Sequence, residues 1–280
     1  MTFRPGSASR RLLVWTQPPS PMVAAALAVV LCATTAGAKT VSAGLVPANS
    51  QPARDPASAA ILIGGIDDSW TRLAGWAPLQ SPGQRVVGFA YDHKRTDLAT
   101  NAQRLEVDLL GLRREGVRRL SITAYSMGGW IAKAALDRMT ADGTIAEFES
   151  VQLVALATPW GGFERANIAW HLRFFPTPGL ARTLSRVMER PMGFEVGSAT
   201  PFIHALRAPL PAHVAFYICE GGADEVATPH TRQEWENYEA VVALARRRIR
   251  IPGATHRDMS VPRRLDLDPG RTGLSASIPP

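Results

Sequence analysis

A serine at position 126 lies between a strand-like run and a helix-like run, and this arrangement constrains the fold more than any other feature. Residues 117–123 favour β-structure, and Trp130 to Leu136 has a helical pattern. Ser126 therefore occupies a tight turn from strand to helix. Such a turn presses the helix against the strand, so the residues two places either side of the serine must be small. Ala124 and Gly128 meet this requirement.

The same turn suits a nucleophilic serine. The first N–H groups and the positive dipole end of the following helix point at any oxyanion that forms beside Ser126, which provides part of an acyl-transfer site. In the alternative interpretation, Ser126 only caps this helix in another kind of α/β protein. The partners that a nucleophile needs distinguish the two.

The segment Ala124-Tyr125-Ser126-Met127-Gly128 resembles the G-x-S-x-G nucleophile elbow of α/β-hydrolases, with alanine at the first glycine position. The resemblance extends over about residues 59–256 and is closest to the lipase and esterase branch that includes inositol-deacylase-like lipases. The loop 157–162, Ala-Thr-Pro-Trp-Gly-Gly, is similar to a Thr-Pro-aromatic-Gly loop of such lipases. The implied fold is a mostly parallel sheet with helices on both faces and a helical cap inserted after the strand that follows the nucleophile helix. The alternation of apolar runs and helical segments also predicts a parallel sheet.

A catalytic serine needs a histidine that removes its proton and a carboxylate that orients the histidine. In α/β-hydrolases the order along the chain is serine, acid, histidine. His256 follows the strand-like run 248–251, where the loop after the final strand should carry the base. We predict His256 as this base, with His230 as the alternative.

The acid is expected after the buried strand-like run 213–219. Asp224 leaves this run through two glycines, which allow the loop to fold back over the strand end, and the resembling family has an aspartate at this offset. Glu220 and Glu225 are the alternatives. We therefore predict a triad of Ser126, His256 and Asp224.

An oxyanion hole in this family takes one N–H from the residue after the nucleophile and one from an upstream loop. The apolar run 59–63 ends in Gly64-Gly65-Ile66, where lipases commonly have a His-Gly-x element, although the histidine is missing here. By this resemblance the donors are the backbone amides of Ile66 and Met127. The alternative is a plain glycine turn before a capped helix.

The length of 280 residues and the hydrophobic content of 46% indicate one catalytic domain with a substantial core. We predict the domain over 57–265, with the cap at about 163–210, after a flexible lead at 39–56 and before a loose tail at 266–280. Apolar cap residues could line an acyl pocket or form the cap's own packing. They are Trp170, Leu172, Phe174, Phe175, Leu180, Met188, Phe194 and Phe202.

The N-terminus is typical of a signal peptide. Basic residues precede a short, alanine-rich apolar run at 23–33, and Ala36-Gly37-Ala38 supplies small residues for cleavage. We predict a signal peptide over 1–38, hence export to the periplasm or the extracellular space, with an uncleaved membrane anchor as the alternative. Cleavage would leave Cys219 as the only cysteine, so the mature chain would have no internal disulfide.

Together these features predict an exported serine hydrolase that cleaves carboxylic esters, with small-molecule or lipid esters as substrates. Neither a metal nor an organic cofactor is expected, and no basic motif with interleaved aromatic residues suggests nucleic acid. The arginines at 246–250 and 263–264 could contact a membrane surface transiently or form a solvated face. An acyltransferase and a catalytically silent lipid- or partner-binding protein of the same fold are the alternatives. The sequence does not indicate an oligomeric state.

Overall fold

The computed structural model describes residues 44–48, 54–66, 70–75, 84–93, 95–164, 166 and 195–261. All of them belong to one compact unit, Val41–Pro280. The predicted signal peptide at 1–38, most of the predicted cap and the tail at 266–280 lie outside the described residues.

Seven strands form one sheet in the order β1-β3-β2-β4-β5-β6-β7. The strands are β1 (Gly44–Pro47), β2 (Asp55–Ile63), β3 (Gln84–Ala90), β4 (Arg119–Tyr125), β5 (Ser150–Leu156), β6 (Val214–Gly221) and β7 (Arg247–Ile251). β1 pairs with β3 in the antiparallel direction, and every other neighbouring pair is parallel. The predicted mostly parallel sheet is therefore confirmed, and the carboxyl ends of β4, β6 and β7 share one edge of it.

Helical segments cover both faces of the sheet. The α-helices of the described residues are α1 (Leu98–Arg114), α2 (Met127–Ala141), α3 (Pro201–Ala205) and α4 (Arg232–Val242). All four bury residues in one core cluster, for example Leu105 of α1 and Ile131 of α2. The opposite face carries a second cluster, to which short 3₁₀ turns contribute Leu73 and Met259.

The first strand differs from the prediction of a flexible lead over 39–56. Residues 44–47 pair with residues 87–90 of β3. The Ala48 N–H then donates to the Val86 carbonyl at 2.9 Å. Leu45 packs against the core cluster that α1 and α2 share. The segment is ordered because β3 offers an unpaired edge and Leu45 gains burial there, neither of which is visible in a stretch rich in Ser, Ala and Pro.

The described end of the predicted cap region belongs to the core of the domain. Ile203 and Leu206 are fully buried in the cluster under α1 and α2, and Phe202 packs against it from the side. Phe202 therefore contributes to the packing of the domain, and its predicted place in an acyl pocket stays a prediction. The other seven apolar residues predicted for that pocket lie outside the described residues.

Among the described residues no helix is long and apolar enough to cross a bilayer.

Cys219 is fully buried on β6, and burial raises the pKa of its thiol to about 12. At neutral pH the sulfur therefore stays protonated and unreactive.

Two carboxylates cap the N-terminus of α1. Asp97 accepts a hydrogen bond from the Thr100 N–H at 2.6 Å, and Glu195 accepts from the N–H groups of Leu98 and Ala99. Burial is the main reason that the pKa of Glu195 is raised to about 7, and the nearby Asp97 raises it further. The hydrogen bonds from α1 only partly offset these effects.

The raised pKa of Glu195 predicts a pH-dependent stability. An unperturbed glutamate titrates near 4.5, so the folded state binds the extra proton between pH 4.5 and 7, and the free energy of unfolding falls as the pH rises through this window. Glu195→Gln removes this loss. We therefore expect the variant to gain on the order of 1–3 kcal/mol relative to wild type between pH 4.5 and 8. Urea unfolding at both pH values measures the difference.

The matched control is Glu239→Gln, which removes the same charge from the exposed face of α4. This variant should track the wild type at both pH values. A Glu195→Gln difference that is equal at pH 4.5 and 8 would contradict the predicted linkage.

Candidate active site

Ser126 lies at the turn between β4 and α2, as the sequence predicted. Its backbone has φ 52° and ψ −125°, a left-handed conformation that costs a non-glycine residue about 1–3 kcal/mol. The Ser126 N–H donates to the Leu156 carbonyl at 2.8 Å, which anchors the turn to β5. A Cβ atom on Gly128 would lie 2.5 Å from the Gly64 carbonyl oxygen, so α2 approaches this loop as closely as only glycine allows.

The structure brings His256 between Ser126 and Asp224. The Nε2 atom of His256 lies 3.0 Å from the Ser126 Oγ atom, and Nδ1 lies 3.0 Å from Asp224 Oδ2 and 3.1 Å from Oδ1. A carboxylate only accepts hydrogen bonds, so its position assigns the proton to Nδ1 and leaves the lone pair of Nε2 for the serine hydroxyl. The His256 side chain is 19% exposed, whereas that of Asp224 is 1% exposed.

Asp224 is held by its own loop. The N–H groups of Val226 and Ala227 both donate to Oδ1 at 2.9 Å, and the Thr228 hydroxyl donates to the Asp224 carbonyl at 2.5 Å. These donors stabilise the buried charge and fix the rotation of the carboxylate. The carboxylate thereby presents both of its oxygens to His256 Nδ1.

Contacts between the loops after β6 and β7 bring the acid to the histidine. The Gly222 N–H donates to the Ile251 carbonyl at 2.7 Å, and the Ala223 N–H donates to the Ala254 carbonyl at 2.9 Å. A Cβ atom on Gly221 would lie 2.3 Å from the Ala254 carbonyl oxygen. The glycines noted in the sequence are therefore required for this close approach, in addition to reversing the chain.

The alternative residues have other partners. Glu220 accepts hydrogen bonds from the Tyr238 hydroxyl at 2.5 Å and from Arg248 Nε at 2.7 Å. The His230 ring nitrogen Nε2 lies 3.0 Å from the Glu225 carbonyl oxygen, and both residues are exposed. The geometry therefore favours Asp224 and His256 over these three.

The predicted oxyanion loop lies against the serine. A Cβ atom on Gly65 would be 2.9 Å from the Ser126 Cβ atom, so the residue preceding Ile66 contacts the nucleophile turn directly. Met127 is the first residue of α2, and N–H groups in a first helical turn have no acceptor within the helix. Ile66 itself is 42% exposed. Both predicted donors thus come from segments that adjoin Ser126.

Two buried polar residues of α4 escaped the sequence prediction. Glu234 accepts hydrogen bonds from the N–H groups of Glu164 and His230 at 2.7 and 2.8 Å. Asn237 donates to the carbonyls of Gly161 and Ser198 at 2.9 and 2.7 Å. Together they attach the Thr-Pro-Trp-Gly-Gly loop to α4. A Thr-x-x-Glu pattern at 231–234 marks the start of this helix, but it carries no information about these distant partners.

In the part of the chain that the structure describes, no group of three or more His, Cys, Asp or Glu side chains could hold a metal ion. The expectation of a cofactor-free reaction rests on the sequence and stays a prediction.

Comparisons with known proteins agree with this fold. Residues 96–177, which include the elbow and the Thr-Pro-Trp-Gly-Gly loop, match the family described as "Putative serine esterase (DUF676)". The structure is similar to a monoacylglycerol lipase of Paleococcus ferrophilus, with 13% identity and a TM-score of 0.51 over 79% of this chain and 92% of that one. It is also similar to a "Putative hydrolase" from Agrobacterium vitis S4, with 16% identity and a TM-score of 0.52 over 79% and 87% of the two chains. No curated protein sequence matches the chain.

The chain has the α/β-hydrolase fold, as its mostly parallel seven-stranded sheet and its similarity to these structures show. Together with the family match over 96–177, the fold supports assignment of the protein to the lipase and esterase superfamily, as a carboxylic ester hydrolase.

Proposed function

We propose that the protein is an exported serine hydrolase that cleaves carboxylic esters, in particular lipid or acyl esters, through an acyl-enzyme. The observation that carries the proposal is the continuous chain of contacts from Ser126 Oγ through His256 to Asp224, with 3.0 Å at each step. A serine so placed has its proton acceptor within hydrogen-bonding distance, and this acceptor is oriented by a buried carboxylate.

In the proposed reaction the Ser126 oxygen attacks the ester carbonyl while its proton passes to His256 Nε2. The imidazolium faces Asp224, whose negative charge favours it. The ester C–O bond breaks and the leaving alkoxide takes the proton from His256, which leaves an acyl group on Ser126. His256 then removes a proton from water as the water oxygen attacks the acyl carbon. The bond between the acyl carbon and Ser126 Oγ breaks, Oγ takes the proton back from His256, and the carboxylic acid product leaves.

The backbone amides of Ile66 and Met127 are proposed to bind the oxyanion that forms in both steps. Each such donor typically contributes about 10²- to 10³-fold to the rate. Because the donors are N–H groups, the isoleucine and methionine side chains are not needed for this role. The missing histidine of the lipase His-Gly-x element is therefore compatible with the proposal.

Two supporting features bear on the substrate and the location. A monoacylglycerol lipase has a similar fold, which favours an acyl ester over other carbonyl substrates. The basic and apolar N-terminus, with small residues at 36–38, supports export with cleavage after Ala38.

Of the arginines predicted for a membrane contact, Arg248 lies over the Tyr238 ring and binds Glu220, so it is engaged within the domain.

One preparation tests these proposals. The full chain is expressed in a bacterium, and the protein is recovered from outside the inner membrane. Its intact mass is measured by mass spectrometry, and it is then treated with a fluorophosphonate and digested. We expect a chain that begins at Lys39 and a single adduct on the peptide that contains Ser126. Esters from acetyl to palmitoyl, with and without an added alcohol, then define the reaction.

Faster hydrolysis of long acyl chains supports a lipid ester substrate, and preference for short ones replaces it with a small ester. Acyl transfer to the alcohol that exceeds hydrolysis would identify the acyltransferase alternative. Absence of both adduct and turnover would overturn the enzyme proposal in favour of a silent binding protein. Retention of residues 1–38 in a membrane fraction would overturn cleavage in favour of the anchor.

A further inference from the structure

Tyr125, the residue directly before the nucleophile, contacts the histidine through both its hydroxyl and its ring. Its hydroxyl donates to the backbone carbonyl of His256 at 3.1 Å. Its ring lies 5.2 Å from the imidazole, centroid to centroid, at an interplanar angle of 41°. The tyrosine is buried in the second core cluster together with Ala254 and Met259, which flank His256 along the chain.

This contact differs from the others that shape the histidine loop. Ala254 is tied to Ala223, and Thr255 donates to Asp258 through its N–H and its hydroxyl. These bonds attach the loop to β6 or to itself. The Tyr125 bond instead joins the backbone of His256 to β4, the strand that carries the nucleophile.

We propose that Tyr125 is a positioning residue that sets the distance between the nucleophile and its base. The role rests on the proposed hydrolase function. Tyr125 and Ser126 share a peptide bond, so the oxygen that attacks and the hydroxyl that holds the base have a short, stiff connection. Without the hydroxyl, the His256 carbonyl loses this hydrogen bond, and the imidazole moves away from both Ser126 Oγ and Asp224 Oδ2.

The predicted effect is on proton transfer rather than on substrate binding. Tyr125 is 4% exposed and acts through His256, so its hydroxyl has no direct contact with substrate. Tyr125→Phe keeps the ring in the core and removes only the hydroxyl. We expect kcat to fall about 10-fold, since misplacement of a catalytic group by a fraction of an ångström is costly. KM should stay within about 2-fold of wild type, because substrate contacts are unchanged.

Labelling by a fluorophosphonate separates positioning from a general loss of structure. The labelling rate depends on removal of the Ser126 proton by His256 and not on the ester, so it should fall about 10-fold together with kcat. Partial unfolding would instead lower the fraction of protein that is labelled at completion and leave the rate constant in place.

Tyr217→Phe is the matched control because Tyr217 is a buried tyrosine of the same cluster, on β6. It should keep the wild-type kcat and labelling rate. Equal kcat and labelling rate in Tyr125→Phe and wild type, with wild type active, would overturn the positioning role alone. An equal loss in both tyrosine variants would also overturn it. A wild type that neither hydrolyses esters nor reacts with a fluorophosphonate would overturn the proposed function and this role with it.

Discussion

Replacement of Ser126 by alanine is expected to lower kcat for ester hydrolysis by about 10⁴- to 10⁶-fold and to abolish covalent labelling by a fluorophosphonate. The hydroxyl oxygen is the atom that would form the acyl-enzyme, and alanine offers no other nucleophile. His256 and Asp224 stay in place, but the variant has no serine hydroxyl from which His256 could remove a proton. Residual turnover would come from substrate binding and the oxyanion site.

The loss must be separated from unfolding. Alanine adopts the same left-handed backbone at this turn with a strain similar to that of serine, so the melting temperature should change little. Ser121→Ala is the matched control, because Ser121 is a buried serine on the same strand, bonded to Gln152 on β5. It should retain wild-type activity and labelling. If Ser126→Ala is still labelled at the wild-type rate, Ser126 is not the nucleophile.

Most of the fold could be predicted because parallel strands are buried on both faces and appear as short apolar runs. The expected run at 59–63 forms the second half of β2, and the expected run at 213–219 forms most of β6. Their ends were less predictable. Asp55 begins β2 earlier than its apolar run because Ser58 and Arg119 bind its carboxylate, and Arg119 is distant in sequence.

The edge strand β1 was not predictable from local pattern. Gly44–Pro47 contains glycine and proline, which disfavour strands, and its pairing depends on β3 having a free edge at that place. Only the tertiary structure supplies that edge. Composition alone therefore predicts a flexible lead, whereas pairing with β3 makes Gly44–Pro47 a strand.

The candidate site was accessible for a different reason. Ser126, Asp224 and His256 each follow a strand, and carboxyl ends of parallel strands meet at one edge of the sheet. The structure places all three within hydrogen-bonding distance in the expected order. Tyr125 was missed because its partner is a backbone carbonyl, which no side-chain motif reports.

Asp224→Asn is expected to lower kcat by about 10³- to 10⁴-fold while preserving the fold, provided the proposed mechanism holds. The N–H groups of Val226 and Ala227 both donate to Oδ1, so the asparagine oxygen should take that position. The amide NH₂ group then replaces Oδ2, the nearer of the two oxygens to His256 Nδ1. An NH₂ group donates to Nδ1, which forces the imidazole proton onto Nε2, where it points at the Ser126 hydroxyl instead of accepting its proton.

The value of kcat and the rate of fluorophosphonate labelling should fall together, since both depend on the same activation of Ser126. The melting temperature should stay close to that of wild type. Glu225→Gln is the control, because it removes the neighbouring carboxylate that was the alternative acid and is exposed. It should leave kcat within about 2-fold, as expected of a surface substitution. A large loss in Glu225→Gln with a small one in Asp224→Asn would transfer the role of the acid to Glu225. The opposite orientation of the asparagine amide would leave the Val226 and Ala227 N–H groups without an acceptor, so the orientation that impairs His256 is favoured.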